Sequence, residues 1–151
     1  MKILAVDLGL VRTGVAVCDA SELLASPVGT VTCADPQALC GQVAELAGRH
    51  RAQQIVVGLP RNMDGTCGES AARARAFAAQ LEAGTGLPVV LWDERLTTKA
   101  AAGFLNVTDT RGKKRKAVID TLSAVLILEN YLAWRAAHPG APAPQPKEEE
   151  Q

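Results

Sequence analysis

Histidine is scarce in this sequence, and its cysteines lack the spacing of a metal site. His50 and His138 are the only histidines, and no two of the four cysteines form a C-x-x-C pair. Zinc sites and nucleophile pairs that depend on histidine are therefore disfavoured. We expect the cysteines to be reduced and mostly buried, because a chain with this much apolar sequence does not need disulfides to fold.

Long apolar runs and net charge are also missing. No stretch approaches the roughly 20 apolar residues of a membrane helix, and Met1–Asp7 is too short an apolar stretch for a signal-peptide core. We therefore expect a cytoplasmic protein with no membrane partner. Sixteen basic and sixteen acidic residues cancel, so any affinity for nucleic acid must come from a local patch of charge.

The chain has enough apolar sequence for one globular domain. It contains 151 residues, of which 48% are hydrophobic and 21% charged, as is typical of a single folded unit. From His138 onward, proline alternates with small residues, and such a segment cannot build a core. We predict a folded domain over residues 1–137 and a disordered tail over residues 138–151.

Apolar and β-branched runs between turn residues predict five strands. The first three follow one another closely and can pair antiparallel, whereas the others alternate with helices, which favours parallel pairing. Pro27 and Gly29 suggest that the third strand lies at a sheet edge. The predicted strands are Lys2–Asp7, Thr13–Cys18, Leu24–Thr32, Gln54–Gly58 and Pro88–Trp92.

Helix signals separate the later strands. Asp35 and Pro36 are typical of an N-cap and a first helical residue. The predicted helices run from Pro36 to near Gly48, from Glu69 to Ala83 with Gly84 as the cap, from Thr97 to Leu105, and from Lys116 to Ala137. The element order βββαβαβα predicts an α/β protein with a mixed five-stranded sheet and helices on both faces.

Acidic residues stand at three positions that the apolar pattern would otherwise fill. Asp7 ends the first strand, Asp93 and Glu94 end the fifth, and Asp120 lies on the face of the last helix that carries Ala124. If the first, fourth and fifth strands are parallel neighbours, their C-terminal ends form one crevice. The first and fifth strands would then be roughly 10 Å apart, a gap that two divalent cations and their oxygen ligands can fill.

Each acid also has a structural interpretation. Asp7 can shape the turn that follows it, Asp120 can interact with the helix dipole, and the Asp93-Glu94 pair can form ion pairs with nearby cations. Any one of these acids alone is more often structural than catalytic. Three of them at one predicted edge favour a metal site.

Four stretches carry a further signal: DLGLVRTGVAVCD from Asp7, VGLPRNMDGT from Val57, WDERLTT from Trp92 and IDTLSA from Ile119. In sequence and order they resemble the YqgF/RuvX family of the RNase H-like superfamily, also described as Holliday-junction resolvase-like. The resemblance implies an RNase H-like fold and phosphodiester cleavage that depends on Mg²⁺ or Mn²⁺. It also implies a role in maturing the 5′ end of pre-16S ribosomal RNA.

The same resemblance implies that Asp7, one acid of the Asp93-Glu94 pair and Asp120 are the catalytic metal ligands. As our own mechanistic hypothesis, Asp7 bridges two ions. Successive strand residues face opposite sides, so Glu94 should lie with Trp92, and Asp93 with Leu91. Glutamate also has the longer reach across the sheet. We therefore predict Glu94 as the ligand, with Asp93 orienting either Arg95 or a metal-bound water.

Basic and polar residues near the predicted acids suit the binding of phosphate. Arg12 follows the first strand and Arg95 the fifth, although either can instead neutralise an acid. Asn62 lies in a loop at the same rim and can either touch substrate or cap that loop. A basic run between the last two predicted helices can bind several phosphates or form a solvated surface. Its predicted substrate-binding members are Lys113, Lys114, Arg115 and Lys116.

Other functional classes fit parts of the sequence. The segment around Asp7 also resembles the phosphate loop of actin-like ATPases, but those enzymes need a second domain that 151 residues do not supply. A non-catalytic RNA-binding assembly factor would need the basic run alone. A Holliday-junction resolvase is the nearest enzymatic alternative and would act as a homodimer, for which the sequence indicates no face. We expect RNA as the favoured partner, with DNA as the alternative.

Overall fold

Five short segments that contain β-branched residues form one mixed sheet. The structure is a computed structural model that describes residues 1–59, 68–94 and 112–144, with the backbone alone over 112–120. Valine, isoleucine and threonine pack well on a pleated surface, which explains why these segments pair as strands. The strands are β1 (Ile3–Asp7), β2 (Arg12–Cys18), β3 (Ala25–Thr32), β4 (Gln54–Leu59) and β5 (Val89–Asp93).

The strand order across the sheet is β3-β2-β1-β4-β5. β2 pairs antiparallel with both β1 and β3, whereas β4 pairs parallel with β1 on one side and β5 on the other. This arrangement confirms the predicted mixed five-stranded sheet. The C-terminal ends of β1, β4 and β5 therefore lie along one edge.

In the described part of the chain, three helices cover both faces of the sheet. The helices are α1 (Pro36–Arg49), α2 (Glu69–Thr85) and α3 (Gly112–Ala137). Alternate residues of β1 enter different apolar cores: Leu4 and Val6 pack with α1 and α2, whereas Ile3 and Ala5 pack with α3. The prediction of helices on both faces is confirmed.

The strand β3 lies at an edge of the sheet, as Pro27 and Gly29 predict. Its register with β2 shifts between Val15 and Ala16, and Gly29 has a φ of 148°. Glycine adopts this backbone conformation at little steric cost. An edge position also tolerates the missing N–H of Pro27, since no further strand needs that donor.

The end of α2 differs from the prediction. The helix continues through Gly84 to Thr85, and Gly86 is the C-cap in the left-handed conformation, with a φ of 72°. The hydroxyl of Thr85 donates to the carbonyl oxygen of Leu81 at 2.6 Å, which adds a bond to the last turn. The predicted cap at Gly84 is therefore wrong, because the chain reverses two residues later.

The start of the last helix also differs from the prediction. α3 begins at Gly112 rather than Lys116, so the basic run enters its first turns instead of separating two helices. The straight side chains of lysine and arginine lose little rotamer freedom in a helix, and the run therefore extends α3 toward its N-terminus. The predicted short helix Thr97–Leu105 lies outside the described residues.

Residues 138–144 are the described part of the predicted tail. They follow α3 without another helix or strand, and Ala143 packs against the core that α3 shares with the sheet. In the three described stretches of the chain, no helix is long and apolar enough to cross a membrane.

Removing the side chain of Asp35 should weaken α1. The Asp35 carboxylate accepts a hydrogen bond from the backbone N–H of Ala38 at 3.3 Å, as an N-cap does. We expect Asp35→Ala to lower the free energy of unfolding by about 1 kcal/mol, measured by urea denaturation. The control Gln37→Ala, at an exposed residue of the same turn, should change it by less than about 0.5 kcal/mol. Equal losses in the two variants would contradict the capping role.

Candidate active site

Asp7 lies between two glycines at the C-terminal edge of the sheet. It is the last residue of β1 and pairs with Gly14 of β2, which in turn pairs with Thr30 of β3. On the other side, the register of β1 with β4 brings Gly58 beside Asp7. Because neither neighbour has a side chain, groups from other elements can approach Asp7 along the sheet.

Asp7 lies on the side of the sheet that α3 covers, because side chains alternate along β1. Successive strand residues face opposite sides, and Ile3 and Ala5, which alternate with Leu4 and Val6, pack in the core of α3. Asp7 continues the series of Ile3 and Ala5. The acid therefore shares its side of the sheet with the helix that contains Asp120.

Glu94 follows β5 on this same side. Trp92 is buried in the core of α3, and Glu94, two residues later, has the same parity. Asp93, only 9% exposed, has the parity of Leu91, which packs against the core of α1 and α2. Asp93 and Glu94 therefore face opposite sides of the sheet, as the sequence predicts. The packing of Trp92 against α3 shows that Glu94 is on the α3 side.

The side chain of Glu94 lies over β4, at Gly58. Its Cγ and Cδ atoms each lie 3.2 Å from the position that a Cβ on Gly58 would occupy. Glu94 directly follows β5, yet its carboxyl group lies over the neighbouring strand β4, about one strand spacing of 4.8 Å away. One further spacing separates β4 from Asp7, so the two acids approach each other across Gly58.

Gly58 lies within a family motif, but the motif reasoning assigns it no role in the site. A Cβ at this position would lie 2.6 Å from Cδ1 of Ile127, in addition to its contacts with Glu94. The available signal is a glycine within a run of β-branched residues in β4, which often marks the close approach of another group. The local sequence does not show which groups approach Gly58, because Glu94 and Ile127 come from distant parts of the chain.

Thr121 connects α3 to the row of residues that contains Asp7. The Oγ1 atoms of Thr121 and Thr30 are 3.0 Å apart and form a hydrogen bond, and Thr30 lies two strands from Asp7 in that row. The backbone of Asp120, the preceding residue, is therefore near the level of Asp7 along the strands. The side chain of Asp120 lies outside the described residues.

The predicted substrate-binding residues are placed in part. Arg12 is the first residue of β2 and lies at the same edge as Asp7. Residues Lys113 to Lys116 occupy the first turns of α3, where the structure describes their backbone. The predictions for Asn62 and Arg95 fall outside the described residues.

The donor groups at this edge suit a hard divalent cation. Asp7 and Glu94 offer carboxylate oxygens, which are the ligands that Mg²⁺ and Mn²⁺ prefer. Burial raises the pKa of Glu94, and the negative charge of Asp93 raises that pKa further. A cation beside Glu94 would offset both effects. Among the side chains that the structure describes, no three form a metal-binding group; Asp120 is not among them.

The fold is that of the RuvC-type resolvases, whose architecture is RNase H-like. RuvC of Thermus thermophilus in complex with a Holliday junction substrate matches with a TM-score of 0.59 at 15% identity, over 92% of this chain and 96% of that one. A second structure of the same organism's RuvC also has a TM-score of 0.59, at 16% identity over 91% and 96% of the two chains. At such low identity, these matches establish the fold alone.

The sequence comparisons identify the family. Residues 1–134 match the model of RuvX, described as a Holliday junction resolvase, and the chain belongs to this family. A Listeria monocytogenes protein named "putative pre-16S rRNA nuclease" is 45% identical over 134 residues, which are 87% of this chain and 97% of that protein. A protein of the same name from a Geobacillus species is 42% identical over 87% and 97% of the two chains. The chain is a nuclease, and thus a hydrolase.

A methyl group at Gly58 should displace Glu94 and Ile127. Their atoms lie 3.2 and 2.6 Å from the Cβ position, closer than carbon atoms normally approach. We expect Gly58→Ala to lower the free energy of unfolding by about 1–3 kcal/mol, measured by urea denaturation. Its nuclease activity should fall even at temperatures where the variant remains folded, because the Glu94 carboxylate can no longer lie over β4.

Gly41→Ala is the matched control for this substitution. A Cβ at Gly41, on the exposed side of α1, meets no atom within 4 Å. Alanine should raise the stability by about 0.5–1 kcal/mol there and leave nuclease activity unchanged. Full activity and stability in Gly58→Ala would show that Glu94 does not need the space above that glycine.

Glu94→Gln should stabilise the metal-free protein at neutral pH. Since the pKa of Glu94 is raised in the folded state, the folded chain holds a proton that the unfolded chain has released above about pH 4.3. Stability is therefore lost as the pH rises through this interval. Urea denaturation in EDTA should find the variant more stable at about pH 8 and equal to the wild type at about pH 4.

The control for this pH dependence is Glu129→Gln, at an exposed residue of α3. It carries the same change of charge and should show the same stability as the wild type throughout the range. A stability difference for Glu94→Gln that does not depend on pH would mean that ionisation of Glu94 does not oppose folding.

Proposed function

We propose that this nuclease cleaves phosphodiester bonds with Mg²⁺ or Mn²⁺ held at the sheet edge by Asp7, Glu94 and Asp120. The supporting observation is the position of the Glu94 side chain over Gly58, the residue of β4 that lies beside Asp7 in the sheet. A half-buried glutamate whose pKa is raised gains more from a cation than from solvent.

The three acids have distinct positions in this proposal. Asp7 and Glu94 act from strands of the same rigid sheet, and Asp120 acts from α3, whose position depends in part on the hydrogen bond of Thr121 to Thr30. Asp93 acts through its charge on Glu94 rather than as a ligand. When bound, Mg²⁺ or Mn²⁺ would activate the attacking water and stabilise the leaving oxygen, so no histidine or serine nucleophile is needed.

The start of α3 supports binding of a polyanion. Four cations, Lys113 to Lys116, follow Gly112 in the first turns, and this stretch contains no acid. A helix N-terminus already carries partial positive charge, so cations there are unfavourable in isolation. A nucleic-acid backbone would offset that repulsion. We assign Arg12, Asn62 and Arg95 to substrate contacts nearer the cleaved bond.

The preferred substrate is pre-16S ribosomal RNA, cleaved at its 5′ end in the cytoplasm. The relatives that carry this substrate in their names are similar over nearly their whole length, with identities of 42 and 45%. The description of the family favours a DNA junction instead. RuvC shares the fold at only 15% identity, which gives that alternative less weight.

Substitutions at the edge test the proposed ligands. Asp7→Asn, Glu94→Gln and Asp120→Asn should lose nearly all metal-dependent cleavage, because each removes a charged donor. Asp93→Asn is the matched control beside Glu94, and should reduce cleavage by about 10–100-fold at most. Circular dichroism should find all four variants folded. Full activity of Asp7→Asn or of Asp120→Asn would contradict the proposal, as would a larger loss in Asp93→Asn than in Glu94→Gln.

A panel of substrates separates the alternatives. Pre-16S RNA, single-stranded DNA and a four-way DNA junction are each incubated with Mg²⁺ and with Mn²⁺, and we expect cleavage of the RNA near its 5′ end. Cleavage of the junction alone would favour a resolvase. Binding of the RNA without cleavage under either metal would favour a non-catalytic assembly factor.

A further inference from the structure

A groove opens at the same edge of the sheet as Asp7 and Glu94, but on the opposite side, which α1 and α2 cover. It has a volume of about 250 Å³ and lies between the β1–β2 turn, the start of α1 and the outer part of α2. Leu8, Leu10, Pro36 and Phe77 contribute apolar surface to it. Nothing in the proposed metal site uses this groove.

The groove has few polar side chains, and none of the described residues that line it is acidic. Among the described residues that line it, Arg73 is the only charged one, and Gln80 adds an amide. Nη2 of Arg73 donates to the carbonyl oxygen of Gly9 at 3.1 Å, which holds the guanidinium at the β1–β2 turn. A guanidinium has five N–H donors, so Arg73 has donors left for an acceptor on a ligand.

The rim of the groove exposes apolar side chains. Leu10 is 72% exposed and Val11 is 52% exposed, although both lie in a short turn where polar residues would cost nothing. Leu10 also lines the groove, and exposed apolar surface that continues into an apolar groove is typical of a binding surface.

The groove is joined to the candidate active site by the backbone. Leu8 follows Asp7 directly, and Leu10 is three residues from Asp7, at most about 11 Å along an extended chain. If a nucleic-acid strand binds with one phosphate at Asp7, the neighbouring nucleotide is therefore within reach of the β1–β2 turn. Because the groove opens on the other side of the sheet edge, that nucleotide would have to bend over the turn.

We propose that this groove binds one unpaired nucleobase of the substrate strand, adjacent to the bond that is cleaved. A base has flat apolar faces and polar edges, and it is joined to an anionic backbone, which matches apolar walls with an arginine, an amide and no acid among the described lining residues. A paired base could not turn out into the groove. The inference rests on the proposed nuclease function and adds a preference for single-stranded substrate.

The position of Ala76 allows the groove to be filled without disturbing the core. Ala76 lines the groove and is exposed on α2, so Ala76→Trp should occupy the space of the base. Ala79→Trp is the matched control, because Ala79 is exposed on the same helix and does not line the groove. A second pair, Ala76→Glu and Ala79→Glu, compares a negative charge at the two positions.

Binding is measured with single-stranded RNA oligonucleotides that each lack one base. Ca²⁺ replaces Mg²⁺, and gel electrophoresis checks that the strand stays intact. We expect one position at which removal of the base weakens binding to the wild-type protein by roughly 5- to 100-fold. Ala76→Trp should bind the complete strand as weakly as the wild type binds that abasic strand, and should be insensitive to the same removal. Ala79→Trp should behave as the wild type does.

The outcomes distinguish this inference from the proposed function. If the wild type cleaves RNA, but every base removal affects the wild type and Ala76→Trp equally, the groove does not hold a base and the nuclease proposal stands. If Ala76→Trp changes only the oligomeric state in sedimentation, the groove is an interface between copies and the inference is wrong. If the wild type neither binds nor cuts any strand with Mg²⁺ or Mn²⁺, both proposals fail.

Discussion

The parallel pairing of β4 with β1 and β5 is the constraint on which the rest of this structure depends. It brings the C-terminal ends of three strands to one edge, and the acids Asp7 and Glu94 with them. It also requires crossover helices between the strands. The two crossovers run in the same direction across the sheet and therefore lie on the same face. The opposite face is left for α3, which carries Asp120.

The edge combines acids with residues that have no side chain. Gly58 leaves room for Glu94 to lie over β4. As a result, the carboxyl group of Glu94 is half-buried, and burial and the charge of Asp93 both disfavour its charged form. Ionisation of Glu94 therefore opposes folding, and a cation at the proposed site would offset this effect. Opposition between stability and function is common where charges are gathered for catalysis. The flanking Gly14 likewise places no side chain beside Asp7.

The β1–β2 turn joins two surfaces with different chemistry. Asp7 precedes it on the α3 side, where Glu94 brings a second carboxyl group over Gly58. The groove beside Leu8 and Leu10 lies on the other side, with Arg73 hydrogen-bonded to the turn at Gly9. A single-stranded substrate has both an anionic backbone and apolar bases, so the two surfaces suit the two parts of one ligand.

The strands, the N-cap at Asp35 and the opposite parity of Asp93 and Glu94 could all be predicted from the sequence, because each depends on local periodicity or capping chemistry. Family motifs added the fold and the nuclease class. The side of the sheet that carries α3, the position of Glu94 over Gly58 and the groove beside Arg73 depend on contacts between distant segments. A local pattern records that a residue must be small or apolar; only tertiary packing decides which distant side chain it meets.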